Sequence, residues 1–412
     1  MKKILIISYY FPPCSLTAAE RVDSWAKNLH KFGFYPVIVT RKWENRLKTL
    51  KDISIPTSDG IVHEKNDKYE VYYMPYTGNL RDKIYNKFGE NKLSLIRKGL
   101  TFFELFFQFY YTKALPFSNL YTQSKKLLKK EKFERLIISG NPFIQFKFGY
   151  LLNKKFNIKW IADYRDAWST TEIYDTDSTV FRRLIHSMDC KFEKKWVGTA
   201  HKISASSGPI GKSIEKITRV ESFPLYNGIN FDDFNKVQTL EKRKKFTITY
   251  IGSLYDGQKI EFFCEAFKKL IEETPGIQVE LLFPGLAFFG DQETRVKGAL
   301  KGYESYFECS ERIPREEILK LEKEAHLLLH VAWQGFQGII ASKIYEYIAS
   351  GTKILVTPSD NGPIEEIVSS SKCGVSISDE TKLLAFLKAE YKVFLDGKTE
   401  KNDTTTKEAQ QF

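Results

Sequence analysis

Cysteine is scarce in this 412-residue sequence, and no two cysteines are close enough to form a Cys-x-x-Cys pair. The five cysteines are dispersed along the chain: Cys14, Cys190, Cys264, Cys309 and Cys373. This spacing gives no pattern for a zinc site and no framework of disulfides. Dispersed cysteines are typical of proteins in a reducing compartment, so the sequence predicts a cytoplasmic protein.

Long apolar runs are also missing, since no stretch approaches the roughly 20 uncharged apolar residues that a membrane-spanning helix needs. The N-terminal segment, residues 1–13, has a basic start followed by apolar residues, as a signal peptide does. Its apolar part is too short, however, and it lacks a small-residue cleavage site. The alternation within it predicts a buried strand instead.

Motifs that bind metal ions are absent as well. In the second half of the chain, no Asp-x-Asp stands at the end of a predicted strand. His326 and His330 lie four residues apart around Leu-Leu-Leu, but two histidines without a third ligand fit packing better than a metal site. We therefore expect no metal ion and no other cofactor.

The residues that are present describe a globular protein, with 42% hydrophobic and 28% charged side chains. The length suffices for two domains with separate cores. The formal net charge is +12, and residues 81–135 carry thirteen basic against five acidic side chains. We call this stretch the basic aromatic segment, because it also contains Phe102, Phe103, Phe106, Phe107, Phe109, Tyr110 and Tyr111.

Two interpretations of the basic aromatic segment remain open. Its aromatic residues could be core and its lysines a solvated face, or the two together could bind an anionic membrane surface. Nucleic-acid binding is disfavoured, because no nucleic-acid motif accompanies the charge.

The pattern of the first forty residues predicts a β-α-β unit. Residues 3–9 form an apolar strand, residues 18–32 a helix that ends at Gly33, and residues 36–40 a second apolar strand. Nearly all-apolar strands are typical of a parallel sheet buried on both faces. Further strands of this kind are predicted at residues 135–139, 159–162, 246–251, 278–283 and 353–357. We expect two doubly wound parallel-sheet α/β domains.

The stretch from Ser342 to Pro358 reads as a helix followed by a buried strand, with Ser342 as the N-cap and Gly351 as the C-terminal stop. Lys343 falls in the first turn and Glu346 three residues later. A helix N-terminus with a lysine suits a diphosphate, and a carboxylate suits the two hydroxyls of a ribose. The alternative is an ordinary surface lysine and glutamate on an amphipathic helix.

A second cluster of charge follows the predicted strand at 159–162. Asp163, Arg165 and Asp166 stand within four residues at the carboxyl end of that strand. In parallel sheets this end collects ligands. The cluster therefore predicts a functional site rather than a structural ion pair.

The residues Lys343, Glu346-Tyr347, Ala349 and Gly351 resemble the donor-binding signature of GT-B glycosyltransferases, especially the family-4 type of bacterial polysaccharide biosynthesis enzymes. The resemblance implies two domains that face each other across a cleft. It also implies a retaining, metal-independent reaction, in which lysines neutralise charge on the leaving diphosphate. The donor-binding residues that it implies are Gly252, Ser253, Lys259, Ile313, Lys343 and Glu346.

The resemblance also implies residues on the acceptor side, with two departures from the family pattern. It places Ser15, Thr17, Arg21 and Asp163 on the acceptor side, and Arg165 and Asp166 as catalytic residues that orient the acceptor. The family usually has glycines in the first loop, where residues 15–19 are Ser-Leu-Thr-Ala-Ala. Many members also carry a second glutamate eight positions before the first, where this chain has Gly338.

These observations predict an enzyme that moves a sugar from a nucleotide-sugar to a carbohydrate or lipid-linked glycan, in surface polysaccharide synthesis. The expected domains are residues 1–228 on the acceptor side and 246–385 on the nucleotide-sugar side, with a helix end and tail at 386–412. We expect a cytoplasmic enzyme, with peripheral attachment to the cell membrane. The alternatives are a nucleotide-sugar epimerase of the same fold and a non-catalytic scaffold on the membrane.

Overall fold

The structure is a computed structural model, and it describes residues 1–14, 16–43, 53–89, 92–170, 180–228, 237, 241–288, 290–335 and 338–397. The chain separates into two units, Met1–Tyr226 and Asn227–Phe412. We describe each unit by itself.

Unit 1 is built around one sheet. Its described strands are β1 (Lys2–Ser8), β2 (Phe34–Arg41), β3 (Val62–Lys65), β4 (Glu70–Met74), β5 (Arg135–Ser139), β6 (Trp160–Tyr164), β7 (Lys202–Ala205) and β8 (Ser222–Pro224). They are arranged in the order β3-β4-β2-β1-β5-β6-β7-β8. The pairings are parallel except for β3, which runs antiparallel to β4 at the edge.

The helices of unit 1 connect these strands. They are α1 (Thr17–Asn28), α2 (Leu80–Phe88), α3 (Ser94–Phe107), α4 (Ser118–Lys130), α5 (Phe146–Phe156), α6 (Val180–Val197) and α7 (Gly208–Thr218). Helix α1 continues as a short 3-10 turn to Phe32 and stops at Gly33, whose φ of +80° is a left-handed conformation that glycine adopts without strain. The predicted helix end is therefore confirmed.

Strand β1 shows why the sheet lies between two layers. Ile4 and Ile6 belong to one apolar cluster, and Leu5 and Ile7 belong to another. Successive side chains of a strand point to opposite faces, so both faces of β1 are covered. The nearly all-apolar pattern of residues 3–9 predicts this arrangement, and the structure confirms it.

Unit 2 has a second sheet of the same kind. Its described strands are β9 (Phe246–Thr249), β10 (Val279–Pro284), β11 (Phe307–Ser310), β12 (Leu327–His330), β13 (Lys353–Val356) and β14 (Gly374–Ser376), all parallel, in the order β11-β10-β9-β12-β13-β14. Its described helices are α8 (Ile260–Glu272), α9 (Gly290–Ala299), α10 (Arg315–Glu324), α11 (Lys343–Ser350), α12 (Pro363–Ser371) and α13 (Glu380–Leu395). Two apolar clusters again cover the two faces.

Each sheet has one point where the strand order reverses. In unit 1, β1 is flanked by β2 on one side and by β5 on the other, and in unit 2, β9 is flanked by β10 and β12. Doubly wound sheets bind ligands at the carboxyl ends of the strands beside such a reversal. From the topology we therefore expect ligand-binding groups in the loops after β1 and β5 and in those after β9 and β12.

Helix α11 and its cap differ in one detail from the sequence prediction. Gly351 ends the helix with a φ of +71°, as predicted. Ser342 occupies the N-cap position, but its backbone is already helical and its side chain makes no capping hydrogen bond. The predicted N-cap position is therefore confirmed, but Ser342 does not cap the helix with its side chain, because its backbone is already helical.

The basic aromatic segment forms helices α2, α3 and α4, and its aromatic residues divide into two groups. Phe109 is buried in the core of unit 1, where its ring stacks on Phe192. Helix α3 has no buried residue among those described. The exposed aromatic residues of the segment are Phe88, Phe102, Phe103, Phe107, Tyr110 and Tyr111. The core interpretation therefore holds for Phe109 and for the half-buried Phe106, which packs against the same core, but not for the other aromatic residues of α3.

None of the helices among the described residues has the length and apolar character to cross a bilayer.

Candidate functional site

In unit 2, the candidate site begins where β9 ends. Gly252 has a φ of +84°, and its N–H donates to the carbonyl of Pro284 across 3.0 Å, at the end of β10. A Cβ built on Gly252 would meet no atom within 4 Å, so the space beside its backbone is open. The next residue, Ser253, is fixed by its carbonyl oxygen, which accepts from the Tyr250 hydroxyl at 2.8 Å.

Helix α11 is attached directly to this strand end. The hydroxyl of Tyr347 accepts a hydrogen bond from the backbone N–H of Ile251 at 3.1 Å. Lys343, one turn earlier, places its Nζ 3.9 Å from the centre of the Tyr250 ring. These contacts bring Lys343 to the loop that carries Gly252 and Ser253, as the sequence analysis expects for one site.

The amine of Lys343 is buried without a hydrogen-bond partner among the described residues. Burial lowers the pKa of Lys343 to about 7, although nearby Glu346 acts in the opposite direction. A buried amine that donates to nothing is costly, because its N–H groups have lost water and gained no acceptor. It therefore marks a place where a negatively charged ligand would be stabilised.

His330, at the end of β12, lies close to Lys343 and is fully buried. Burial lowers its pKa to about 3, with a further contribution from the charge of Lys343. Neither ring nitrogen has a hydrogen-bond partner within the part of the chain that the structure describes. His326 differs, since its Nδ1 accepts from the backbone N–H of Thr247 at 3.0 Å.

Glu346 is ion-paired, a feature that sequence reasoning missed. Its Oε1 accepts from the Nη1 of Arg315, on α10, at 2.8 Å. Glu322, also on α10, is fully buried, and burial followed by repulsion from Glu346 raises its pKa well above the usual range. The two carboxyl groups therefore lie in different environments, since burial favours the neutral form of Glu322 while Glu346 is paired with a guanidinium.

The other predicted donor-side residues lie on neighbouring loops of the same sheet edge. Lys259 is exposed directly before α8, and Ile313 is half-buried in the loop between β11 and α10. Sequence reasoning also missed Gln258, whose Nε2 donates to the carbonyl of Val331 at 2.5 Å. This bond joins the loop after β9 to the end of β12, at the reversal of strand order.

In unit 1, Asp163 is fully buried at the end of β6 and has three side-chain partners. Ser139 donates to its Oδ2 at 2.9 Å, Ser204 donates to its Oδ1 at 2.8 Å, and Arg21 forms an ion pair at 3.2 Å. Arg21 also donates to the carbonyl of Leu225 at 2.6 Å. These contacts join β5, β6, β7 and α1, so Asp163 and Arg21 hold the edge of the sheet together.

Arg165 and Asp166 are arranged differently from Asp163. Asp166 is exposed, and the Nε of Arg165 is buried with no hydrogen-bond partner among the described residues. Burial lowers the pKa of Arg165, while the charges of Asp166 and Asp163 oppose that effect. Of the predicted cluster, these two residues are the ones with polar groups left for a ligand.

Helix α6 fixes the loop that carries these two residues. Glu193 accepts from the Tyr164 hydroxyl at 2.8 Å and from the backbone N–H of Ser169 at 3.1 Å. Asp189 accepts a hydrogen bond from Trp168, and burial raises its pKa to about 7. No pattern in the sequence distinguishes these two acidic residues from the other charged residues of this long amphipathic helix. They are recognised only when the fold shows which side of the helix is buried.

Two predicted acceptor-side residues have no described side chain. Ser15 lies outside the described residues, and Thr17 is described only as the first residue of α1. No group of three or more His, Cys, Asp and Glu side chains among the described residues is arranged to hold a metal ion.

No protein-family model matches this chain, and no curated protein matches it. Solved structures do match over nearly its whole length. Sucrose-phosphate synthase from Thermosynechococcus elongatus is 14% identical, with a TM-score of 0.59 over 96% of this chain and 90% of that one. HepE from Anabaena, in complex with UDP, is 13% identical, with a TM-score of 0.55 over 100% and 94%. An α,α-trehalose-phosphate synthase (UDP-forming) from Burkholderia vietnamiensis is 10% identical, with a TM-score of 0.53 over 96% and 95%.

These similarities establish the fold class. Two parallel-sheet α/β domains that match such proteins over nine-tenths or more of both chains define the GT-B fold. The fold predicted from the sequence is therefore confirmed.

The contacts of Asp163 predict a large effect on stability. We expect Asp163→Ala to lower the free energy of unfolding by about 3–5 kcal/mol, because it leaves the buried guanidinium of Arg21 without its carboxylate. Asp166→Ala, at an exposed position three residues away, should change it by less than about 0.5 kcal/mol. Urea unfolding followed by circular dichroism measures both, and equal stability of the two variants would show that the Asp163 contacts do not hold the edge.

Proposed function

We propose that this chain is a glycosyltransferase resembling the family-4 type, which moves a sugar from a nucleotide-sugar donor to a carbohydrate or lipid-linked glycan. The observation that carries the proposal is the buried amine of Lys343, which has no hydrogen-bond partner among the described residues and lies one turn before Glu346, at the strand reversal of unit 2. The first turn of a helix and a lysine suit a diphosphate, and a carboxylate suits a ribose. Two solved structures of this fold are described as bound to UDP or as UDP-forming, which favours a uridine nucleotide.

We propose the following division of roles. Residues 246–385 bind the nucleotide-sugar through Gly252, Ser253, Lys259, Ile313, Lys343 and Glu346, and the helix end and tail at 386–412 follow this domain in the sequence. Residues 1–228 bind the acceptor, which Arg165 and Asp166 orient. Transfer retains the configuration of the anomeric carbon. It needs no metal ion, because buried and exposed lysines stabilise the charge that develops on the leaving diphosphate. The products serve surface polysaccharide synthesis.

The donor site is tested by titration calorimetry with UDP. We expect Glu346→Ala to weaken UDP binding by about 1–3 kcal/mol, the contribution of a hydrogen bond to a charged group. Glu316→Ala is the matched control, since Glu316 is an exposed glutamate on α10 whose carboxylate forms an ion pair with Lys320 at 3.0 Å. Equal affinities of Glu346→Ala and the control for UDP would show that Glu346 does not bind the nucleotide. If the wild-type chain does not bind UDP, the proposed donor site is overturned.

The metal-independent mechanism predicts that activity persists in chelator. We expect release of UDP from its sugar conjugates, with a glycan acceptor mixture, to continue in excess EDTA at the rate seen without it. Nucleotide release is measured by a coupled assay. Loss of release in EDTA, with recovery on addition of Mn²⁺ or Mg²⁺, would show that a divalent cation rather than the lysines balances the diphosphate charge.

We further propose that the protein works in the cytoplasm and attaches to the membrane through the basic aromatic segment. On α3 the exposed fractions of Leu95, Ile96 and Phe103 are 81%, 53% and 56%. On α4, Lys125 and Lys129 are close enough to Lys155, on α5, to lower its pKa by repulsion. The concentrated positive charge of α4 and α5 and the exposed apolar side chains of α3 each suit an anionic membrane surface, which contributes about 1 kcal/mol for each basic residue near it.

Vesicle sedimentation tests this attachment. We expect the protein to sediment with anionic vesicles at low salt and to be released at high salt, because attraction to an anionic surface is screened. Replacing Lys125, Lys126, Lys129 and Lys130 with Glu should abolish sedimentation while UDP binding persists. Wild-type protein that stays in the supernatant at low salt would overturn the attachment and favour a soluble acceptor.

A further inference from the structure

The amine of Lys343 is held in an environment that disfavours its charge. The residue as a whole is half-buried, but its Nζ is inaccessible and has no hydrogen-bond acceptor among the described residues. The face of the Tyr250 ring lies 3.9 Å away, and the Tyr347–Ile251 hydrogen bond holds the helix against the sheet. The ring face is a cation–π contact that favours the charged amine, whereas burial and the lack of a hydrogen-bond acceptor among the described residues disfavour the charge.

Few groups around α11 supply negative charge to this amine. On β12, His330 is neutral, because burial and Lys343 itself lower its pKa to about 3. On α10, burial raises the pKa of Glu322 well above its usual range, which favours its neutral form, and Arg315 is cationic. On α11 itself, burial raises the pKa of Tyr347, and Glu346 is the one carboxylate that favours a charged Lys343. Arg315 shares that carboxylate through its 2.8 Å hydrogen bond.

We propose that Lys343 takes up a proton when the diphosphate of a nucleotide binds, so that the donor site couples ligand binding to protonation of this amine. The inference rests on the proposed function, since it assigns a proton to the same site. The lone pair of Nζ accepts a proton from the buffer, and the resulting N–H groups donate to the phosphate oxygens. No other bond forms or breaks.

The pH window follows from the pKa of the empty site. Burial lowers the pKa of Lys343 to about 7 in the empty protein. A bound diphosphate raises it again toward the ordinary value of about 10.4. At pH 5.5 the amine is already protonated and takes up almost nothing on binding, whereas uptake is about half a proton at pH 7 and about one at pH 8.5. Above pH 7 the affinity should fall by up to about tenfold per pH unit.

Titration calorimetry in buffers of different ionisation enthalpy measures this uptake. With UDP at pH 8.5, the slope of the observed enthalpy against the buffer enthalpy is the number of protons taken up. The terminal phosphate of UDP is fully ionised at this pH, because its second pKa is about 6, so it adds nothing to the slope. We expect about one proton for the wild-type chain at pH 8.5 and almost none for its amine at pH 5.5.

Two variants complete the experiment. Lys343→Arg should bind UDP with a slope near zero at pH 8.5, because a guanidinium is charged in both states. Lys388→Arg, an exposed lysine of α13 that pairs with Glu273, is the matched control and should keep the wild-type slope. A wild-type slope near zero at pH 8.5 overturns the inference by itself, even if Lys343→Arg does not fold, as does an equal slope in wild type and Lys343→Arg. Failure of the wild-type chain to bind UDP would overturn the proposed function as well, so the two failures are distinguishable.

Discussion

The parallel alignment of strands in each sheet is the constraint on which the rest of the structure depends. Because β1 and β9 are buried on both faces, each must have neighbours on both sides and helices above and below. Successive strands are added first on one side of the central strand, and the chain must then return to add strands on its other side. The loops after β9 and β12 meet at that reversal. Gly252 therefore lies close to His330 and Lys343, although about ninety residues separate Gly252 from Lys343 in the sequence.

The edges of the two sheets use buried charge in opposite ways. Asp163 has three side-chain partners, and the cost of burying its charge is offset by hydrogen bonds and by Arg21. Lys343 and His330 have none among the described residues, so their polar atoms remain unsatisfied. The two clusters therefore differ in how their buried polar groups are satisfied.

The sequence was sufficient for the fold because the signals were local. Apolar strands, left-handed glycines at helix ends and the β-α-β spacing of residues 3–40 each depend on near neighbours in the chain. The candidate site was predicted only in part, since Lys343 and Glu346 lie on one helix turn. The pairing of Glu346 with Arg315 and the anchoring of the 163–169 loop by Glu193 join residues 24 to 31 positions apart, and only the packed fold brings them together. Ser342 is the N-cap residue, as the pattern predicts, but the pattern does not reveal that its backbone is helical and that its hydroxyl makes no capping hydrogen bond.

The departure at Gly338 has a physical basis in the same loop. Where the family-4 resemblance places a second glutamate, Gly338 has a φ of +92°, a conformation that side chains other than glycine rarely adopt. A glutamate there would be strained, so this chain cannot be converted to the two-glutamate pattern by one substitution. Position 338 lies beyond β12 and shortly before α11, on the connection that delivers Lys343 to the sheet edge. The left-handed turn at Gly338 therefore lies on the connection that leads the chain to Lys343.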